Sequence, residues 1–276
     1  MNNDGKREKR KENNQMNEVD KLVQGVGKAI DKVPEIYDDG LKPATKESGK
    51  VLALIPQTIN AALAPLRQWI AQKEYNVAET EKLLAQKLEK VEYQKIVSPE
   101  SYVAVPAIQA IAYSMNSEEL RELYANLLAK SMYIETKERV HPSFVEIIKQ
   151  MSPIDALVFK KIMGREVNPM INLIMKNEKG EFRTIITNVT DINIVSQELI
   201  GVSIDNLTKQ NLLSVPDDGF YSNEKVYDSI LQTEFYDNQK NINRRTVDGF
   251  EFTYTKKMIN KTNLGKLFYK VCVAEI

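Results

Sequence analysis

The side chains best suited to catalysis are scarce in this chain of 276 residues. It has one histidine, His141, and one cysteine, Cys272. These two residues cannot form a zinc site of several histidine or cysteine ligands. A Cys–His dyad would need the two side chains to meet, but Cys272 stands in the apolar sequence 268–273 and is predicted to be buried. His141 precedes Pro142 at a helix start and is predicted to hydrogen-bond locally.

Other signatures of catalysis are also missing from the sequence. No glycine loop of the GxxxxGK[ST] or GxGxxG type occurs, so no phosphate cradle is predicted. Carboxylate pairs occur at Asp38-Asp39 and Asp217-Asp218, but both lie in turn-like sequence, where Asp is favoured because it bonds the backbone. We therefore expect a protein that is not an enzyme, with no catalytic residues, no metal and no cofactor.

The composition is that of a soluble globular protein. Hydrophobic residues make up 42% and charged residues 28% of the chain, which are ordinary values for such a protein. There are 38 basic and 38 acidic residues, so the overall charge does not indicate nucleic-acid binding. The single cysteine excludes an internal disulfide and fits a reducing compartment, and we predict a cytoplasmic location.

A local basic surface in the C-terminal part could still contact DNA. Residues 203–213 are predicted to form a helix capped by Ser203, with Lys209, Gln210 and Asn211 facing a DNA groove. Further basic residues would then contact phosphates: Arg244, Arg245, Lys256, Lys257 and Lys261. Against DNA binding, winged-helix shapes are often used for contacts with a protein partner, and a fold does not imply a function.

The least polar part of the chain is the sequence 51–70. It contains two prolines and one arginine, whereas a membrane-spanning helix needs about 20 mainly apolar residues. One interpretation is a buried helical hairpin. The other is a segment that enters the membrane only after activation, with four apolar side chains as its candidate contacts: Leu54, Ile55, Leu63 and Trp69.

Helix start signals recur between residues 99 and 164. Pro106 fits the first turn of one helix, Asn116 or Ser117 can cap a second, and Ser152-Pro153 opens a further helix that Gly164 would end. Each helix has a broad apolar face, so the helices are expected to pack on one another. The amphipathic sequence 74–92 is expected to pack on this core, with an oligomer contact as the alternative.

The pattern changes after Gly164. Apolar and β-branched runs on either side of 177–180 predict a β-hairpin over 170–189. A short helix at 195–200, the helix at 203–213, a helix at 224–238, a strand at 250–254 and a closing helix at 262–273 follow. The predicted fold is α+β and mostly α-helical: a charged disordered tail (1–17), a helical bundle domain (18–151) and a small winged-helix-like domain with a β-hairpin (152–276).

Several stretches resemble the bacterial abortive-infection alpha family. They are DDGLKPATKESGKVLALIPQTINAALAPLRQWIAQ (38–72), VSPESYVAVPAIQAI, SEELRELYANLLAKSM, VHPSFVEIIKQMSPIDA, SIDNLTKQNLL and TNLGKLFYKVCV, in the order of the family. The most specific pieces are 127–129, 141–144 and 264–268. One departure is the pair Gln210-Asn211, where a glycine turn would be usual.

The resemblance implies a helical N-terminal region, a smaller C-terminal module and a role in defence against bacteriophage. It implies no catalytic residues that can be carried over to this chain. The expected partners are a protein or a phage component. Nucleic acid, the membrane after activation and a second copy of the chain stay open as further partners.

Overall fold

Helices make up most of the part of the chain that the computed structural model describes, which is residues 61, 77–113, 117–244 and 249–276. The first helices in this part are α1 (Val77–Leu88), α2 (Ser101–Tyr113), α3 (Glu118–Met132), α4 (Ser143–Lys149) and α5 (Pro153–Met163). Short 3₁₀ turns at Tyr93–Lys95 and Lys137–Arg139 lie between them. The prediction of a mostly helical N-terminal part is confirmed for these residues.

Helix α3 runs through the middle of the main core. Ser117 caps it, because its hydroxyl accepts a hydrogen bond from the Leu120 N–H at 3.3 Å. Ser117 is one of the two residues predicted to cap this helix. All residues from 123 to 132 are buried, since α1, α2, α4 and α5 pack around this helix. Small residues at 125 and 129 let these neighbours approach closely.

The second half of the described chain mixes short strands with helices. Its elements are β1 (Pro169–Lys176), β2 (Phe182–Val189), α6 (Gln197–Lys209), β3 (Leu213–Ser214), a 3₁₀ turn (Glu224–Tyr227), α7 (Asp228–Leu231), α8 (Glu234–Ile242), β4 (Glu251–Met258), β5 (Asn260–Lys261), α9 (Asn263–Phe268) and a π-helical turn (Tyr269–Val273). The fold is therefore mixed α and β, with helices predominant, as predicted.

The strands form a small antiparallel sheet in the order β2-β1-β4, and β3 pairs with β5 apart from it. The predicted hairpin is confirmed as β1 and β2, whose turn places Gly180 at φ +86°. One face of the sheet holds a small apolar cluster that includes Ile171, Leu173 and Tyr227. The predicted strand at 250–254 is β4, and it extends to Met258.

The main core continues from Leu84 to Cys272 along the sequence. Leu84, Leu88 and Val91 are buried in it, so the expected packing of the 74–92 sequence on the core is confirmed. The closing helix is also confirmed: Phe268 of α9 lies between two aromatic rings of α4 and α5. Residues on both sides of position 151 belong to this one core. The predicted division into domains at that position stays a prediction.

Helix α2 begins earlier than predicted. It starts at Ser101, and Pro106 lies inside it rather than in its first turn. An internal proline removes one backbone hydrogen bond and costs about 3 kcal/mol. Val103, Ala104 and Ala107 are all buried in the core, so tertiary packing outweighs this local cost.

The helical state predicted at 195–200 and 203–213 is confirmed for most of these residues, but the predicted break between two helices and the cap at Ser203 are wrong. A single helix, α6, covers both, and Ser203 is buried within it. Gly201 lies inside this helix and close to β2, where a Cβ would meet the Thr187 carbonyl oxygen at an ordinary contact distance of 3.5 Å. The helix ends where Asn211 takes φ +57°. The Leu212 N–H bonds the Leu207 carbonyl at 3.0 Å, so asparagine makes the left-handed turn that usually takes glycine.

The predicted helix at 224–238 is also divided. It consists of the 3₁₀ turn, α7 and the first part of α8. Thr233 separates the two helices, because its hydroxyl accepts from the Tyr236 N–H at 3.2 Å and so caps α8. The start of α5 follows the prediction, with a full capping box between Ser152 and Asp155, and Gly164 ends that helix.

Several predictions fall outside the described residues. These are the tail at 1–17 and the apolar positions Leu54, Ile55, Leu63 and Trp69, as well as Arg245. Among the residues that the structure describes, no helix is both long enough and apolar enough to cross a membrane.

Candidate functional site

His141 and Cys272 occupy different environments. His141 is exposed, and its Nδ1 lies 2.7 Å from Ser143 Oγ and accepts from the Ser143 N–H at 3.2 Å. This is the local hydrogen bonding that the sequence predicts. Cys272 is fully buried, as predicted, and burial raises the pKa of its thiol well above the ordinary value. A thiol in this state is a poor nucleophile.

The carboxylates do not gather into a metal site in the described part of the chain, where no group of three or more candidate ligands occurs. Asp217 and Asp218 lie exposed in a turn after β3. The Asp217 backbone carbonyl accepts a hydrogen bond from the Lys257 ammonium. This pair therefore lies in a turn, as its sequence context predicts.

The predicted DNA- or partner-contacting residues lie on two elements. Lys209 is exposed in the last turn of α6, and Arg244 is exposed just after α8. Gln210 points inward instead: its Nε2 donates to the Gln150 carbonyl at 3.2 Å. Lys209 and Gln210 lie at the end of α6. Arg244 lies at the end of a different helix, α8, which packs on the sheet through Tyr236.

The three lysines predicted to contact phosphates make contacts within the chain. The Lys256 ammonium pairs with Glu224. Lys257 donates to the Asp217 carbonyl, as noted above. Lys261 donates to the Met163 carbonyl at 2.9 Å and to that of Arg165, where a cation stabilises the C-terminal end of α5. These three charges therefore have structural partners, which sequence spacing did not reveal.

A polar cluster joins the C-terminal turn to α3. Asn126 donates to the Cys272 carbonyl at 3.0 Å, and Lys130 donates to the Glu275 carbonyl at 2.9 Å. Lys87 of α1 lies 2.5 Å from Glu122 and 3.3 Å from the Glu275 carboxylate. Desolvation lowers the pKa of Lys130, which is only 6% exposed. These contacts hold the π-helical turn on the core, so we assign them a structural role.

The candidate binding site is an apolar groove at the surface, which we call the α2–α4 groove. It has a volume of about 270 Å³ and is lined by side chains from three helices: Pro106, Gln109 and Ala110 of α2, Leu120 and Tyr124 of α3, and Ile148 and Lys149 of α4. Small-molecule sites usually measure about 300–1,000 Å³. The groove is smaller, which favours an occupant that inserts one or a few side chains.

The polar groups at this groove do not form an acid–base pair. Tyr124 is 1% exposed, and desolvation raises the pKa of its hydroxyl. The Lys149 ammonium lies 2.8 Å from the Glu146 carboxylate, so its charge is already paired at the rim. The groove therefore offers mainly apolar contact.

Sequence reasoning missed this groove because its walls come from three separate helices. One signal was present in the sequence. Helix α2, SYVAVPAIQAIAY, has no charged residue over its 13 positions, although Tyr102 is 59% exposed and Gln109 is also exposed. A helix with an exposed face normally carries charges there.

Comparison with known protein families identifies this chain's family. Residues 72–272, which include the core, the sheet and the α2–α4 groove, match the family described as abortive infection alpha. No curated protein and no solved structure matches the chain. The match covers well over half of the sequence, and it agrees with the resemblance of the segments at 127–129, 141–144 and 264–268. The chain belongs to the abortive infection alpha family.

Proposed function

We propose that this chain is a non-enzymatic anti-phage defence protein of the abortive-infection type, acting in the cytoplasm of bacteria. The observation that carries the proposal is the family match over residues 72–272. The chemistry of the described residues supports a binding role, because the only histidine bonds its own loop and the only cysteine is buried.

The sensing part of this function is binding of a protein partner or phage component by the folded region. The α2–α4 groove supports this part, because it is an open apolar site with its rim charge already paired. The harmful part is action of the sequence 51–70 at the host membrane. That sequence supports the proposal through its composition, with one charged residue, Arg67, in 20 positions.

We expect bacteria expressing the chain to be protected at a low phage-to-cell ratio and to collapse at a high ratio. Abortive infection protects the population by loss of infected cells, so only the low ratio leaves survivors. The measurement is culture density against time for a panel of phages, with an empty-vector control. Survival of the infected cells themselves at the high ratio would contradict the abortive mode.

The membrane step has its own matched test. Leu54→Asp with Leu63→Asp should remove liposome association and protection, because two charges oppose transfer into hydrocarbon. Gln57→Asp with Gln68→Asp adds the same charge to polar positions and is the control. Circular dichroism of both variants checks that the fold is intact. Full protection by the Leu54/Leu63 variant, with no liposome association of the parent protein, would remove the membrane step.

The alternative function is a winged-helix-like DNA-binding regulator. It is supported by the exposure of Lys209 and Arg244 at the ends of α6 and α8. We expect salt-dependent binding to duplex DNA that weakens when Lys209, Arg244 and Arg245 are replaced by alanine. Replacing Lys176, Lys179 and Lys225 with alanine removes three charges elsewhere and is the control. Absence of binding to duplex DNA at low salt would exclude this alternative.

A further inference from the structure

One side of helix α2 carries both a projecting side chain and part of the α2–α4 groove. Tyr102, Pro106 and Gln109 are spaced i, i+4 and i+7, so they share one side of the helix. Tyr102 is 59% exposed, whereas Pro106 and Gln109 belong to the groove lining. A projection and a recess therefore lie about 10 Å apart along one helix.

The projection and the recess match in size and in chemistry. The groove has a volume of about 270 Å³ and a mainly apolar lining, which suits one aromatic side chain with its large apolar surface. In its own chain Tyr102 lies outside this groove, because both features belong to the same side of the same helix. The Tyr102 ring can therefore fill the groove of a second copy of the chain.

Twofold symmetry satisfies both copies at once. Two α2 helices can pack antiparallel about an axis that passes between Val105 and Pro106. Position 102 of one copy then lies opposite position 109 of the other, because both positions are equally far from the axis. Each Tyr102 meets the groove of the opposite copy, as an isologous contact requires, since the same surface serves both partners.

The polar groups on this side match in the same register. Pro106 lies inside α2 and has no N–H, so it cannot give the Tyr102 carbonyl the hydrogen bond that residue i+4 supplies in a regular helix. Gln109 is exposed, and its side-chain amide can donate. The antiparallel register brings the Gln109 amide of one copy towards the Tyr102 carbonyl of the other.

The charge pattern of α2 also fits a contact with its own copy. None of the 13 residues of this helix carries a charge. A charge close to a twofold axis would face the same charge on the second copy, and like charges in contact repel one another. An uncharged helix avoids this cost.

We propose that the chain forms a twofold dimer through α2, with Tyr102 of each copy in the α2–α4 groove of the other. A protein partner or phage component that enters the groove would compete with the second copy, and this consequence rests on the proposed function. Dimerisation itself is measured on the purified protein without phage. A failure to dimerise is thus separate from a failure of protection.

Sedimentation velocity of the full-length protein over about 1–100 µM tests this dimer, a range that suits a small interface. We expect a reversible monomer–dimer equilibrium. Tyr102→Ala should weaken dimerisation by at least about tenfold, as truncation of a central aromatic residue commonly does. Phe182→Ala is the matched control, because Phe182 is 61% exposed on a different element, β2. A parent protein that stays monomeric, or a Tyr102→Ala variant that dimerises as the parent does, would overturn the proposal.

Mixing two variants gives a readout that misfolding cannot imitate. Gln109→Glu removes the amide donor and adds a charge at the groove rim, so this variant should also dimerise weakly. A mixture with Tyr102→Ala keeps one intact contact, between Tyr102 of the first chain and the groove of the second. The mixture should therefore dimerise more tightly than either variant alone. A mixture no tighter than the separate variants would contradict the twofold contact.

Introduced cysteines test the register. Tyr102→Cys with Gln109→Cys should form disulfide-linked dimers under mild oxidation, because the two positions face each other across the axis. Tyr102→Cys alone should form few, since its two copies lie about 10 Å apart along the helices, beyond disulfide range. Tyr102→Cys with Glu178→Cys in the β1–β2 turn is the control, and native Cys272 is buried. Equal yields of linked dimer from the three proteins would overturn the proposal.

Discussion

Replacing Gly265 with alanine is expected to destabilise the protein by at least about 3 kcal/mol, the upper end of the usual range for overpacking. A Cβ at this position would lie 2.0 Å from the Leu212 carbonyl oxygen and 3.0 Å from its carbon. Real Cβ atoms do not approach a backbone so closely, so either α9 or the end of α6 must move.

Neither of these elements has room to move. Leu212 is fully buried, and its carbonyl accepts from the Thr262 hydroxyl at 3.0 Å. Leu213 pairs with Lys261 in the small ladder. The Thr262 hydroxyl also caps α9 by accepting from the Gly265 N–H at 2.8 Å. A shift that relieves the clash would therefore break several hydrogen bonds at once.

Urea denaturation of the parent and of Gly265→Ala measures the effect as a change in the midpoint. Gly164→Ala is the matched control, because its Cβ would meet the nearest backbone oxygen at 3.4 Å and its φ is negative. We expect the control to change the free energy of unfolding by no more than about 1 kcal/mol. Equal midpoints for the two glycine variants would show that the close approach of α9 to Leu212 is wrong.

Replacing Phe268 with alanine is expected to lower the free energy of unfolding by about 3–5 kcal/mol. Phe268 is fully buried, and its ring lies 5.4 Å from that of Phe144 and 5.5 Å from that of Phe159, both edge to face. It thus joins α4, α5 and α9 at one point. Its removal leaves a cavity between three helices that other contacts hold in place, so the site cannot close fully.

Phe182→Ala is the control for this prediction. Phe182 is 61% exposed at the start of β2, so its replacement should change stability by about 0.5 kcal/mol or less. Thermal and urea unfolding give the comparison. In cells, a loss of several kcal/mol lowers the amount of folded protein, so Phe268→Ala should also reduce protection against phage. A stable Phe268→Ala variant would contradict the three-helix aromatic contact.

Local sequence signals predicted most of the secondary structure correctly. Ser117, Ser152 and Gly164 mark helix ends because a cap depends on a few neighbouring residues. The hairpin turn follows from the same kind of local rule, since Asn177 and Gly180 suit its backbone. The errors at Pro106 and Ser203 have the opposite origin. Both residues resemble helix boundaries locally, and packing of distant segments keeps them inside helices.

The sequence by itself determined the helical character of the core, the burial of Cys272, the local role of His141 and membership of the family, because periodicity, caps and motifs are local properties. The tertiary structure decided which lysines are already paired, as in the bond from Lys261 to the end of α5 across 98 positions. It also determined the position of the α2–α4 groove, whose walls come from three helices. These features depend on contacts between residues far apart in sequence, and such contacts are determined by how whole helices pack.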